Sequence, residues 1–115
     1  IVGAVLAGID MFDCVIPTRE ARHGRIYINK FSIPNFQFLK NKNKKFYETL
    51  QITKAKFAKD FKPLDKNCGC YACRHFSRAY LRHLFRAGEP LAQRLATIHN
   101  LKFYLQMMEK LRTLN

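Results

Sequence analysis

The chain has 115 residues and 48% hydrophobic content, which is ordinary for one small globular domain. Its 21 lysines and arginines against 8 acidic residues give a net charge of +13 and favour a polyanionic partner, nucleic acid or an anionic membrane surface, without choosing between them. Four cysteines with Cys14 far from the other three argue against a disulfide framework and fit a reducing cytosol better.

The charge is unevenly placed. Residues 1–25 carry three basic and three acidic groups, residues 26–67 carry ten and three, and residues 68–115 carry eight and two. A neutral start followed by two basic parts predicts chemistry or core packing early and phosphate contacts later. The chain opens on Ile1 with nine apolar residues, too few to span a bilayer and with no basic residue ahead of them as in a signal peptide. It is therefore expected to be an interior piece of a longer protein.

Residues 1–8 read as the end of a helix packed on a sheet, and residues 9–16 as a short buried strand closed by Pro17. Asp10 and Asp13 interrupt that strand, and a buried carboxylate must be paired, hydrogen-bonded or functional. The polar run 18–25 follows. If it is helical, Arg19 and Arg22 share a face and suit phosphate or base edges; the plainer reading is a solvated loop with an internal Glu20 pair.

Residues 25–29 and 50–57 predict two hairpin strands by their alternation and β-branched content. Between them lies a lysine- and asparagine-rich stretch. It reads most simply as a solvated loop, or else as a polyanion contact through Phe36, Phe38, Phe46 and Tyr47 among the lysines.

Cys68, Cys70 and Cys73 put three thiols inside six residues, with Gly69 relieving the turn. A tetrahedral zinc site takes four thiolate or imidazole ligands, so a histidine is needed to close the shell; buried small cysteines or half of a redox pair are the plainer readings. Residues 74–87 predict a helix, Gly88-Glu89-Pro90 its break, and residues from Leu91 a second helix. His75 is too close in sequence, and His83 lies about 15 Å along the first helix. If the second helix folds back antiparallel, His99 returns by roughly 12 Å to the level of the cysteines. A filled Cys3His shell predicts one structural zinc, not a catalytic one. Phe76, Tyr80, His83 and Leu84 form a stripe on the first helix, and Leu91, Leu95, Ile98, Leu101, Leu105, Met108 and Leu111 an apolar seam on the second, flanked by Phe103, Tyr104 and Met107.

Residues 10–19, Pro63-Leu64-Asp65, the run from Cys68 to Arg74, residues 77–81 and Thr97-Ile98-His99-Asn100-Leu101 together resemble the C-terminal part of bacterial tRNA-guanine transglycosylases. The likeness covers nearly the whole chain except residues about 29–51, where an insertion is expected. It implies an α/β fold, the end of a (β/α)8 TIM barrel with an inserted zinc-binding subdomain: barrel helix, strand and anticodon loop over 1–25, a basic hairpin region over 26–67, the zinc subdomain over 68–100 and a C-terminal helix over 101–115. The implied activity is exchange of the wobble-position guanine of tRNA for preQ1, a 7-deazaguanine precursor of queuosine, through a covalent aspartyl intermediate. By position in Phe-Asp-Cys-Val, Asp13 matches the nucleophile; Arg19 and Arg22, with Thr18 beside them, match anticodon-reading positions; Phe76, Tyr80 and His83 match a homodimer interface. The resemblance implies a cytoplasmic enzyme with no membrane partner, and the isolated chain is expected to be inactive for want of the earlier barrel strands. The competing class is a non-catalytic, zinc-stabilised tRNA-binding module or subunit.

Overall fold

A computed structural model describes residues 1–30 and 45–113. The expected polyanion contact through Phe36 and Phe38, and most of the expected insertion over 29–51, lie outside the described residues. The elements in order are helix α1 (Val2–Leu6), α2 (Ile16–Arg22), strands β1 (Arg25–Asn29) and β2 (Tyr47–Gln51), a 3-10 turn (Ala55–Phe57), α3 (Tyr71–His75), α4 (Arg78–Ala87) and α5 (Pro90–Arg112). No helix among the described residues is long and apolar enough to cross a membrane.

The strand expected over 9–16 is not formed. Residues 9–15 are irregular, and Asp10 and Asp13 are exposed. A strand needs a neighbour to take its backbone groups, and the one sheet described is the two-stranded β1–β2 pair. Pro17 does not close a strand; it sits in the first turn of α2, where its missing N–H costs nothing. The polar run after it is therefore helical and ends at Gly24, whose φ of +79° turns the chain into β1. A Cβ there would come within 3.1–3.3 Å of side-chain atoms of Gln51, Thr53 and Ile52, so alanine would be strained in conformation and tight for space.

β1 and β2 pair antiparallel, Arg25 opposite Gln51 and Asn29 opposite Tyr47. β2 starts and stops earlier than the expected 50–57, because β1 begins only where the chain leaves α2. The last rung is Ile52 N–H to the Gly24 carbonyl, and beyond it β2 has no partner backbone. Ile26, Ile28, Ile52, Phe57 and Leu64 enter the core with Leu81, Leu84, Ala92, Leu95 and Ala96 of the helices.

The helix expected over 74–87 is two helices. Phe76 is extended, and the Ser77 hydroxyl accepts from Tyr80 N–H as the N-cap of α4. The backbone N–H groups of Arg78 and Ala79 are taken by the carbonyls of Lys62 and Asp60. The Arg78 guanidinium adds bonds of 3.1 Å each to the Pro63 and Leu64 carbonyls and to the Asp60 carboxylate. Segment 60–64, which leads into the cysteine loop, is thereby tied to the start of α4. At the other end Gly88 caps α4 in the left-handed conformation and Pro90 opens α5, as the Gly-Glu-Pro break predicts.

The buried face of α5 is Ala92, Leu95, Ala96, His99, Asn100, Phe103, Met107 and Leu111. Of the expected seam, Leu95 and Leu111 are buried here, while Leu91, Leu101 and Leu105 are exposed, apolar surface that the seam leaves over in a chain of this length. Spacing alone fits either stripe, since the helix carries apolar residues nearly all round; two buried polar side chains decide which stripe faces inward.

Burial would raise the Asp60 carboxyl, but hydrogen bonds from Lys62 and Arg78 outweigh it and hold the group below the usual carboxylate range. Its contribution to stability is present above the unfolded carboxylate value and is lost as pH falls through the lowered folded one. Replacing Arg78 by alanine should cost about 2 kcal/mol at pH 7, and the variant's stability should fall less steeply than wild type in that acid window. Chemical denaturation at several pH values checks both.

Candidate metal centre

Cys70 is the N-cap of α3, its sulfur accepting from Cys73 N–H at 3.4 Å, so the short helix turns Cys73 back beside Cys70. Cys68 is placed from the other side, where its N–H donates to the Asp65 carbonyl. Asp65 is itself buried: one carboxylate oxygen accepts Asn29 N–H from the end of β1 and the other accepts Asn67 N–H, both at 2.9 Å.

α5 runs back over this loop and brings His99, 1% exposed, onto it. The donor atoms of Cys68, Cys70, Cys73 and His99 all lie within 4.8 Å of one another. His99 Nδ1 is 3.2 Å from Cys73 Sγ and 3.6 Å from Cys70 Sγ. In a tetrahedral thiolate–imidazole site, metal bonds of about 2.3 and 2.1 Å imply a sulfur–nitrogen separation of roughly 3.6 Å. The four donors therefore fit such an ion, closed on all sides. His99 Nε2 donates to the Tyr27 carbonyl at 2.7 Å, which fixes the ring and leaves Nδ1 to face the sulfurs. His75 ends α3 and His83 lies on α4; both are exposed and neither joins the cluster.

The four donors hold their protons unevenly. Burial draws the His99 imidazole down, but hydrogen bonds to the Cys68 and Cys70 sulfurs and to the Tyr27 carbonyl prevail and push it up to about 10. The Cys70 thiol is lowered by bonds from Cys68 and Cys73, and Cys73, facing those same sulfurs, is raised. A metal ion bound here takes the place of those protons and keeps thiolate and neutral imidazole as its ligands.

Among the residues the sequence reading left without a role, Asn100 is fully buried and uses every polar atom. Its Oδ1 accepts Tyr27 N–H at 3.2 Å; its Nδ2 donates to the Arg25 carbonyl at 2.9 Å and to the Pro17 carbonyl at 3.2 Å. A polar side chain next to His99 on a helix's inner face is the signal that marks it. Asp65 was equally legible as an acid after an apolar pair.

α2 lies against α5 and β1. Arg19 and Arg22 sit exposed on its last turn, and Glu20 pairs with Arg25 at 3.3 Å, not with either of them. The Thr18 hydroxyl donates to the Val15 carbonyl. Asp13 lies three residues before α2. The expected stripe on α4 divides: Leu84 enters the core, His83 is exposed, and Phe76 stacks on the half-exposed Tyr80 at 5.3 Å. That stack borders an open groove of about 640 Å³ that also includes Phe61 and Pro63.

The family model for queuine tRNA-ribosyltransferase matches residues 1–114. The chain belongs to that family. Queuine tRNA-ribosyltransferases of Thermoanaerobacter pseudethanolicus and Aquifex aeolicus are 46% and 48% identical to it over 112 residues, 97% of this chain. The enzyme of that name from Herminiimonas arsenicoxydans is 47% identical over the same length. The chain spans about a quarter of the length of these curated relatives of the queuine tRNA-ribosyltransferase family.

His99→Ala should drop the metal content below one per chain and lower the melting temperature by about 10 °C or more, the effect of losing a few kcal/mol in a domain of this size. His75→Ala and His83→Ala should keep full metal. Elemental analysis with thermal melts of the three variants checks the assignment.

Proposed function

We propose that this chain is the C-terminal, tRNA-holding part of a tRNA-guanine transglycosylase. Family membership over residues 1–114 carries the reading. In it, the barrel's last helix and the segment bearing Asp13 stand at the mouth of a (β/α)8 barrel, and the hairpin, cysteine loop and α4–α5 form an inserted subdomain held by one zinc. Cys68, Cys70, Cys73 and His99 fill all four positions around that ion, so it supplies shape and no open site for chemistry.

Asp13 is the nucleophile. Its carboxylate attacks the anomeric carbon of the wobble nucleotide, the glycosidic bond breaks with its electron pair leaving on guanine, and an aspartyl ester to the ribose forms. The incoming preQ1 base then displaces the carboxylate at the same carbon. Asp13 lies exposed just ahead of α2, within reach of a large substrate. Arg19 and Arg22, exposed on one helical turn with Thr18 beside them, hold the anticodon loop; splayed bases offer edges that guanidinium donors match. The Phe76–Tyr80 stack, with exposed Phe61 and Tyr71 nearby, is the apolar surface of a homodimer contact, and His83 stands on the same helix. The enzyme is cytoplasmic, where its tRNA is. These 115 residues lack the base pocket and do not turn over alone.

A second reading keeps the tRNA-binding surface and drops the chemistry: a zinc-stabilised binding module. Its support is the net charge of +13 and the closed Cys3His donor set, neither of which needs a nucleophile.

In the full-length protein, Asp13→Ala should abolish the denaturation-resistant tRNA adduct and reduce guanine exchange by about three orders of magnitude or more, while tRNA binding persists. An adduct that survives the substitution removes Asp13 from this role, and exchange by the isolated chain would show it to be an autonomous enzyme.

A further inference from the structure

β1 has two edges. Ile26 and Ile28 stand opposite Leu50 and Glu48 in the pair with β2, while Arg25, Tyr27 and Asn29 turn backbone groups to the other side. No third strand lies there among the described residues. The Tyr27 peptide groups on that side are gripped by neighbouring side chains of α5, its carbonyl by His99 and its N–H by Asn100. Asn100 then reaches past the strand to the Pro17 carbonyl in the first turn of α2.

One buried amide thus joins three things: the helix that carries a metal ligand, the strand that orients that ligand, and the helix that carries Arg19 and Arg22. A helix of seven residues does not hold itself in water. Its placement comes from what it is packed on and bonded to. An alkyl side chain at position 100 would fill the volume and leave the Tyr27 N–H and the Pro17 and Arg25 carbonyls unpaired in a dry interior.

We propose that Asn100 is a positioning residue for RNA recognition, fixing the arginine-bearing helix α2 against the strand that the metal-ligating His99 holds. Arg19 and Arg22 then meet RNA on a preset platform, and the ordering of α2 is complete before binding. The proposal rests on the reading of Arg19 and Arg22 as anticodon-loop contacts, and one arm of its test is independent of that reading.

The test uses the full-length protein in four forms: wild type, Asn100→Ala, Arg19→Ala with Arg22→Ala, and the triple variant. A synthetic anticodon stem-loop RNA is the probe, at fixed salt. Asn100→Ala should keep one metal per chain and bind the hairpin about tenfold more weakly. The loss should fall on KM for RNA, with kcat changed less than about threefold; a purely structural defect would lower kcat with the folded fraction and leave KM alone. The triple variant should bind no more weakly than the arginine pair, because Asn100 acts through them. Wild-type affinity in Asn100→Ala, or effects that simply multiply, would overturn the proposal.

Hydrogen exchange in the absence of RNA is the independent arm. Amides of α2 should exchange about tenfold faster in metal-loaded Asn100→Ala while α4 is unchanged, and unchanged protection of α2 overturns the proposal whatever the RNA does. If the arginine pair does not weaken binding but α2 does loosen, the functional reading fails and the positioning role stands. Should Asn100→Ala not fold, Asn100→Ser serves. Its hydroxyl puts no charge against the carbonyls and is too short to join Tyr27, Arg25 and Pro17 together, with the same outcomes expected.

Discussion

The outer edge of β1 is closed by side chains, and most of the structure is arranged to deliver them. An edge strand carries a row of backbone groups that must be paired or wetted. Here Asn100 serves the Arg25 carbonyl and Tyr27 N–H, His99 serves the Tyr27 carbonyl, and Asp65 serves Asn29 N–H. Each of these residues is buried, so each bond replaces water that is not there. Two of them belong to the metal centre as well: His99 is a donor in the cluster, and Asp65 holds the N–H of Cys68. Strand edge and metal site are thus one hydrogen-bonded unit, and neither can shift without the other.

Electrostatics follow the same economy. Among the described residues Lys56, Lys59, Lys62 and the α2 arginines are exposed, while Asp65, the Asp60–Arg78 pair and the thiol cluster lie inward. Arg78 satisfies two carbonyls and a carboxylate in one planar fork, which lysine cannot reproduce. That fork holds segment 60–64, and through it the approach to Asp65 and Cys68. The cationic surface is therefore carried on a scaffold whose own polar groups are internally paired.

What was legible in the sequence was what depends on spacing. Three thiols within six residues, the Gly-Glu-Pro break and the antiparallel return that brings His99 within reach are all local geometry, and the structure assembles them as expected. What depends on a neighbour was not. The apolar run 9–16 has strand composition but no strand beside it among the described residues, and β2 is cut short by where β1 begins. The helix expected over 74–87 is divided at Ser77, whose hydroxyl starts α4 by accepting a backbone N–H. On α5 hydrophobicity is nearly uniform around the helix; His99 and Asn100 set its rotation by what they bond to, and those partners lie more than seventy residues away.

That distance has a temporal meaning. Asn100 follows Pro17 by 83 residues, so on a translating ribosome α2 emerges on the order of ten seconds before the side chain that anchors it. Throughout that interval it is a seven-residue segment too short to be helical alone. α2 thus gains its buried anchor only once residue 100 has been made, and a chain interrupted before that point carries the Pro17 carbonyl without the amide that bonds it.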